Sequence, residues 1–117
     1  MRYVHYREAV EGALGRSAVP VSLFIAGHDH QLQLLASSEP GQPLVLVSGS
    51  AAKCAPARAA AGTLFAASKN GFAVVSAYAH HLDVEFFGTT GCEERSDCAR
   101  GGSDQLNRLF RYRVAGE

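Results

Sequence analysis

The chain has 117 residues, 47% of them hydrophobic, which is enough for one domain with its own core. Lys and Arg together number 11, as do Asp and Glu, so the formal net charge is zero and nothing favours nucleic acid or a membrane surface as a partner. The longest apolar runs, near residues 19–26 and 43–47, are too short to cross a bilayer. The charged first residues lack the apolar stretch of a signal peptide.

The first half of the chain predicts one helix followed by strands. Apolar residues at helical spacing predict a helix over residues 6–16. A short apolar run between a proline and a glycine predicts a buried strand over residues 21–26. The alternation in QLQLLAS (31–37) predicts a half-buried strand, and LVLVSGS (44–50) predicts a buried strand that ends in a glycine loop. The Ala-rich residues 51–62 predict a loop with room for one helical turn.

The last third of the chain is predicted to be β-rich. GFAVVSAYA (71–79) and LDVEFFG (82–88) flank a histidine pair and predict a hairpin, with Asp83 and Glu85 on its wet face. LNRLFRYRV (106–114) alternates as a strand with one exposed face does. Together these elements predict an α+β domain with one N-terminal helix and mostly antiparallel strands.

Three cysteines do not make a disulfide framework. Cys92 and Cys98 bracket the polar segment CEERSDC, and a disulfide between them would leave Cys54 unpaired. Their spacing does not match the usual zinc pairs, and there is no second pair to complete four ligands. We interpret Cys92 and Cys98 as loop residues, with or without a disulfide, rather than as metal ligands.

Gly27-His28-Asp29-His30 is the one motif with clear chemistry. In extended backbone, side chains at i and i+2 project to the same side, about 6.6 Å apart at their Cα atoms. Two imidazoles so placed can bind one metal ion, or one ion each of a close pair. Asp29 would point the other way, and Gly27 would let the backbone turn sharply after the strand. The carboxyl end of a strand is also where open α/β sheets place ligands.

The motif and its surroundings resemble a known family. FIAGHDHQLQLL (24–35), followed by PLVLVSGS (43–50) and GFAVVSAYAHHLDVEFFGTTG (71–91), is similar to the C-terminal part of calcineurin-like metallophosphoesterases. The closest likeness is to the tartrate-resistant, purple-acid-phosphatase-like branch. It covers about residues 21–114 and is weakest around Cys54 and Cys92.

This resemblance implies a fold and an activity. The expected fold is the C-terminal part of a four-layer α/β/β/α sandwich, so residues 1–117 would be a partial domain. His28 would bind one ion and His30 the other ion of a dinuclear centre of Fe, Zn or Mn. The family hydrolyses phosphate esters, which makes a phosphate ester the expected substrate.

The other ligands of such a centre are not found in this sequence. The family supplies them from Asp-x-His, Gly-Asp and Gly-Asn-His motifs upstream of Gly-His-x-His. Here the only upstream candidates are His5, Glu8 and Glu11, which form none of these motifs. His80 and His81 lie at the predicted hairpin turn and are expected to be solvated or structural. We therefore expect a metal-dependent phosphoric ester hydrolase when complete, and an inactive chain, without catalytic residues, in isolation.

Two alternatives remain open. The chain is alternatively a truncated or degenerate binding or structural module, for which exposed sheet edges predict self-association. A mononuclear His-x-His site is less favoured, because no Glu lies in residues 31–38. The resembled branch is commonly exported, so a periplasmic or secreted location is expected for the complete protein, although its signal would lie upstream.

Overall fold

One helix precedes a series of short strands. The computed structural model describes residues 2–89 and 106–115. The elements of these residues are α1 Arg2–Gly15, β1 Leu23–Ala26, β2 Leu32–Leu35, β3 Leu44–Ser48, β4 Thr63–Ala67, β5 Gly71–Ala77, β6 His81–Gly88 and β7 Asn107–Ala115. Every predicted strand is present, and β4 is one that the sequence reasoning missed.

The first sheet combines parallel and antiparallel pairing. Its strand order is β1-β3-β2-β4, with β1 parallel to β3 and the other pairs antiparallel. Leu32 and Leu34 of β2 are buried whereas Gln33 and Leu35 are half-buried, which is the alternation predicted for this strand. Strand β1 lies at the edge of the sheet, and Ile25 is 58% exposed there. The prediction of a buried strand is therefore wrong: no residue of β1 is fully buried, and among the described strands only β3 pairs with it.

The second sheet has the order β5-β6-β7 and is fully antiparallel. Its first two strands form the predicted hairpin, in which the N–H of Tyr78 donates to the carbonyl of His81 at 2.9 Å. The register of β6 against β7 shifts between Phe86 and Phe87, which marks a bulge. This bulge places Arg108 beside Phe87. The guanidinium of Arg108 donates to the carboxylate of Glu85, on the face of the sheet that points away from the core. Arg108 therefore does not share the inward row of the apolar residues that follow it.

Both sheets contribute to one core. Leu34 and Leu46 of the first sheet and Phe86 of the second are almost fully inaccessible to solvent. The ring of Phe65 from β4 joins them, with its centroid 4.9 Å from Phe86 and 4.8 Å from Phe110. Burial of these side chains is the main force that holds the two sheets together. One helix and two mostly antiparallel sheets confirm the predicted α+β class.

The helix α1 stands apart from this core. Its residues from Val4 onwards are exposed or half-buried, with Val10 and Leu14 among the half-buried ones. Together with Phe24 and Val45 of the first sheet, these two side chains line a groove of about 870 Å³. Within residues 2–89 and 106–115, no helix is both long enough and apolar enough to span a membrane.

The segment between β3 and β4 holds no helix. Residues 51–62 are irregular, so the helical turn considered for them is not formed. The segment ends at Gly62, whose φ of 86° is readily adopted only by glycine. Strand β4 then pairs with β2, and Phe65 lies opposite Leu34.

Candidate functional site

The two histidines of the motif follow directly on β1. Strands β1 and β3 run parallel, with Ala26 opposite Val47, so both strands end at the same edge of the sheet. His28 and His30 are exposed in the loop that leaves this edge. The structure therefore places the motif at the carboxyl end of a parallel strand pair, where ligand sites of open α/β sheets generally lie.

The backbone of the motif is bent rather than extended. His28 has a φ of 78°, in the left-handed region that few non-glycine residues adopt. The N–H of Gln31 donates to the carbonyl of Asp29 at 2.7 Å, which closes a tight turn. His28 and His30 are therefore not the i and i+2 side chains of the extended segment that the sequence predicts. Nor does Gly27 provide the sharp turn, because the positive φ falls on His28.

This loop is anchored to the segment that follows β3. The N–H of Gly49 donates to the carbonyl of Gln31 at 3.1 Å, and the N–H of Ala55 donates to the carbonyl of His30 at 2.7 Å. The side chain of Gln31 also donates to the carbonyl of Pro56. Hydrogen bonds on both sides of the turn thus fix the backbone that carries the histidines.

Gly49 makes the closest approach to the histidine loop. A Cβ at this position would overlap the carbonyl oxygen of Asp29 and would lie 3.2 Å from the N of His28. At Gly27, by contrast, a Cβ would meet only the carbonyl oxygen of Ser48, at 3.8 Å. The glycine that the local geometry requires is therefore Gly49, not the glycine of the motif.

Ser48 and Ser50 tie this anchor to the second sheet. The Oγ of Ser48 accepts a hydrogen bond from the N–H of Ala73 at 3.2 Å. Ser50 is fully buried; its Oγ donates to the carbonyl of Lys69 at 2.7 Å, and its own carbonyl accepts from the N–H of Gly71. The sequence had indicated only a glycine loop here, since no local pattern predicts contacts across so many residues.

The other histidines lie on other elements of the fold. His5 is on α1, where its Nδ1 is 3.9 Å from a carboxylate oxygen of Glu8. His80 is exposed in the β5–β6 turn, as predicted, and His81 stacks on Tyr78 with ring centroids 4.6 Å apart. In the described ranges, no three His, Cys, Asp or Glu side chains come together in a group that could hold a metal ion.

A cluster of ion pairs lies on the outer face of the second sheet. Asp83 accepts hydrogen bonds from Nε of Arg113 at 2.9 Å and from Nη2 of Arg111 at 3.0 Å. The hydrogen bond from Arg113 is the largest cause, and that from Arg111 the next, of a pKa of Asp83 that is lowered from 3.8 to about 2. Burial of the carboxylate has a smaller effect in the opposite direction. Only 6% of the Asp83 side chain is exposed. The prediction of a wet face is therefore wrong for Asp83, which the arginines cover.

Cys54 is the one cysteine within the described residues. It is buried and disulfide-bonded, so it is not the unpaired cysteine that a Cys92–Cys98 disulfide would leave. Cys92 and Cys98 lie outside the described residues, and so does the partner of Cys54. Cys54 directly precedes Ala55, whose N–H contacts the histidine loop, so the disulfide restrains the same anchor.

Comparison with known proteins identifies no relative. The chain matches no protein-family model, and no curated protein and no solved structure is significantly similar to it.

Proposed function

We propose that this chain is the C-terminal portion of a dinuclear phosphoesterase of the acid-phosphatase type. In this proposal, His28 binds one metal ion and His30 binds the other. The observation that carries it is the placement of two exposed histidines at the end of β1, on a loop that hydrogen bonds hold in a strained conformation. Strain of this kind persists where surrounding contacts impose it, and it is concentrated at functional sites.

The two sheets are the central layers of the proposed four-layer sandwich, and α1 belongs to one outer layer. The core that the two sheets share supports the central layers of this arrangement. The sequence resemblance of residues 21–114 supports it independently.

The donor groups fit part of a dinuclear centre. Imidazole nitrogen is a ligand for Fe, Zn and Mn, and both histidines are exposed to solvent. A pair of such ions polarises a phosphoryl oxygen and lowers the pKa of bound water. The residues of this chain would hold and orient the ions. The carboxylates that complete the centre belong to the rest of the domain, so we expect little hydrolysis by this chain alone.

Metal titration of the purified chain tests the proposal. We expect Zn²⁺ to bind weakly and to shift the imidazole NMR signals of His28 and His30, and we expect His28→Ala and His30→Ala each to remove the shift at the altered position. His80→Ala is the matched control, because His80 is equally exposed but lies in the hairpin turn. Metal binding that neither loop variant changes would overturn the assignment of these ligands.

Phosphatase assays test whether the centre is incomplete. With an aryl phosphate and added Mn²⁺, Fe²⁺ or Zn²⁺, the chain should show only background hydrolysis. Turnover that is well above background and is lost in His28→Ala would show that the chain needs no further ligands, and would contradict this part of the proposal.

The groove favours a second candidate function, that of a binding module. Apolar side chains of α1 and of the first sheet line it together with polar ones that include Glu11 and His28, and β1, at the edge of the first sheet as described, exposes Ile25. An apolar surface beside an open strand edge favours association. A dimer that dissociates on dilution, detected by analytical ultracentrifugation, is expected for such a module. A monomer at all concentrations would contradict self-association.

A further inference from the structure

Over residues 108–115, strand β7 has a partner strand on one side only in the part of the chain that the structure describes. It pairs with β6, and no other described strand pairs with it. Its inner-face residues Phe110, Tyr112 and Val114 pack against the core but remain partly exposed. Such an edge offers backbone N–H and C=O groups and an incompletely covered apolar row to a further strand.

The outer face of β7 presents positive charge. The side chain of Arg111 is 49% exposed and that of Arg113 is 59% exposed, whereas their shared partner Asp83 lies beneath them. The carboxylate holds both guanidiniums in place and is itself shielded from solvent. Glu85, opposite Arg111, lies on the same face and is paired with Arg108. The named groups are therefore three guanidiniums and two carboxylates, and this excess of positive charge favours carboxylates as partners.

A partly apolar cleft, with Ser22 and Gln42 among its lining residues, lies at the end of this edge. It has a volume of about 400 Å³ and is lined by Val114 of β7, by Val19 and Pro20 before β1, and by Leu44 of β3. Aliphatic side chains from three separate segments form its walls. A cleft of this kind accepts an apolar side chain of a bound segment.

We propose that the outer edge of β7 binds an extended peptide segment in which acidic and apolar residues alternate. Successive side chains of a strand point to opposite faces of a sheet. Acidic side chains would therefore lie beside Arg111 and Arg113, while apolar side chains would extend the row of Tyr112 and Val114 and enter the cleft. Backbone hydrogen bonds supply affinity in such strand addition, and the alternating side chains supply specificity.

The charge pattern disfavours a second copy of β7 as the occupant. Pairing of two β7 strands would bring arginines of one copy close to those of the other, and like charges across strands are destabilising. A strand with acidic side chains would instead place opposite charges beside the arginines. The arginines thus select against self-pairing of this edge and select for the proposed partner.

Fluorescence anisotropy with short synthetic peptides tests this proposal. The probes are a labelled peptide of alternating glutamate and valine and its counterpart with lysine in place of glutamate. We expect the acidic peptide to bind at least about tenfold more tightly, and we expect this difference to shrink as salt is added. Equal affinity for the two peptides, or no binding of either, would overturn the proposal.

A neutral variant separates the role of charge from that of folding. The combined variant Asp83→Asn, Arg111→Gln and Arg113→Gln removes the arginines without leaving a carboxylate buried alone. It should lose the preference for the acidic peptide, whereas Arg7→Gln, on the exposed α1, should retain it. A preference that persists in the folded triple variant would contradict the role assigned to the arginines.

N-methylated peptides test the backbone pairing without altering the protein. Methyl groups on alternate nitrogens block hydrogen bonds along one edge of the peptide only. Two acidic peptides, methylated on opposite edges, should differ in affinity by about tenfold, because only one edge faces β7. Equal affinity of the two would show that the peptide binds by charge alone, and strand addition would be refuted.

Discussion

Asp83 and Arg113 lie directly opposite each other on β6 and β7, and Nε of Arg113 donates to the Asp83 carboxylate at 2.9 Å. The two residues are 30 positions apart in the sequence. A second guanidinium, that of Arg111, reaches the same carboxylate from the neighbouring pair. The ionised carboxylate of Asp83 therefore links β6 to β7 through its ion pairs.

This arrangement predicts a loss of stability in acid. The pKa of Asp83 is about 2 in the folded protein against an ordinary value of 3.8. A lowered folded-state pKa contributes stability that is fully present above the ordinary pKa and is lost as the pH falls through the folded value. The contribution of Asp83 to stability should therefore disappear as the pH falls from 3.8 to about 2. Urea denaturation of wild type and Asp83→Asn from neutral pH downwards should give unfolding free energies that converge over this range.

Arg113→Gln provides the complementary measurement. The hydrogen bond that Arg113 donates is the largest cause of the lowered pKa of Asp83, so its removal should raise that pKa towards 3.8. NMR titration of the side-chain carboxyl measures this directly. The interpretation fails if the pKa of Asp83 stays near its wild-type value, or if wild type and Asp83→Asn differ by a constant amount through the acid range.

Gly49 should be far less tolerant of substitution than Gly27. In Gly49→Ala, the new methyl group would collide with the backbone of Asp29, so the histidine loop or the loop after β3 must move. We expect a destabilisation of about 1–3 kcal/mol, which is typical of overpacking. We also expect weaker metal binding, because the displaced loop carries His28. Thermal denaturation and metal titration measure the two effects.

Gly27→Ala is the matched control for this prediction. Its methyl group would make an ordinary contact with Ser48, and the backbone at Gly27 has no positive φ. Stability and metal binding should therefore stay close to wild type. If Gly27→Ala were the more damaging of the two variants, Gly49 would not be the glycine that the loop geometry requires.

The local parts of this fold could be predicted from the sequence. Alternation identified β2, and two β-rich segments around a histidine pair identified the β5–β6 hairpin. The motif was also correctly placed at the end of β1. These features depend on residues close together in the chain. Strand β4 was missed, because the Ala-rich segment before it resembles a loop and Phe65 shows its role only when it packs on Phe86.

The remaining features depend on contacts between distant residues. The approach of Gly49 to Asp29 fixes the histidine loop, yet neither residue type signals it in the sequence. Asp83 follows the alternation of an exposed face and is nevertheless buried, with Arg111 and Arg113 of the next strand paired to its carboxylate. The sequence therefore predicts which face a side chain occupies more readily than what covers that face.

The shared core should be most sensitive at Phe86. Its side chain is fully buried and contacts Phe65 of the other sheet, so Phe86→Ala removes contacts between the sheets. We expect a loss of about 3–5 kcal/mol in the free energy of unfolding. Phe72→Ala is the control, because Phe72 is 41% exposed on the outer face and stacks only on Phe87 among the described rings. Chemical denaturation should show a loss of only about 1 kcal/mol in the free energy of unfolding of Phe72→Ala. Equal losses would show that the sheets do not share a core.

The disulfide of Cys54 should support both stability and the histidine loop. Cys54 is buried, and Ala55 beside it donates to His30 at 2.7 Å. Cys54→Ala should lower the free energy of unfolding by about 2–4 kcal/mol under oxidising conditions. It should also weaken metal binding, because the anchor of the loop loses its cross-link. Added reductant should bring wild type down to the level of the variant under the same reducing conditions. Rapid alkylation of Cys54 in the folded, non-reduced protein would show that the disulfide is absent and would contradict the prediction.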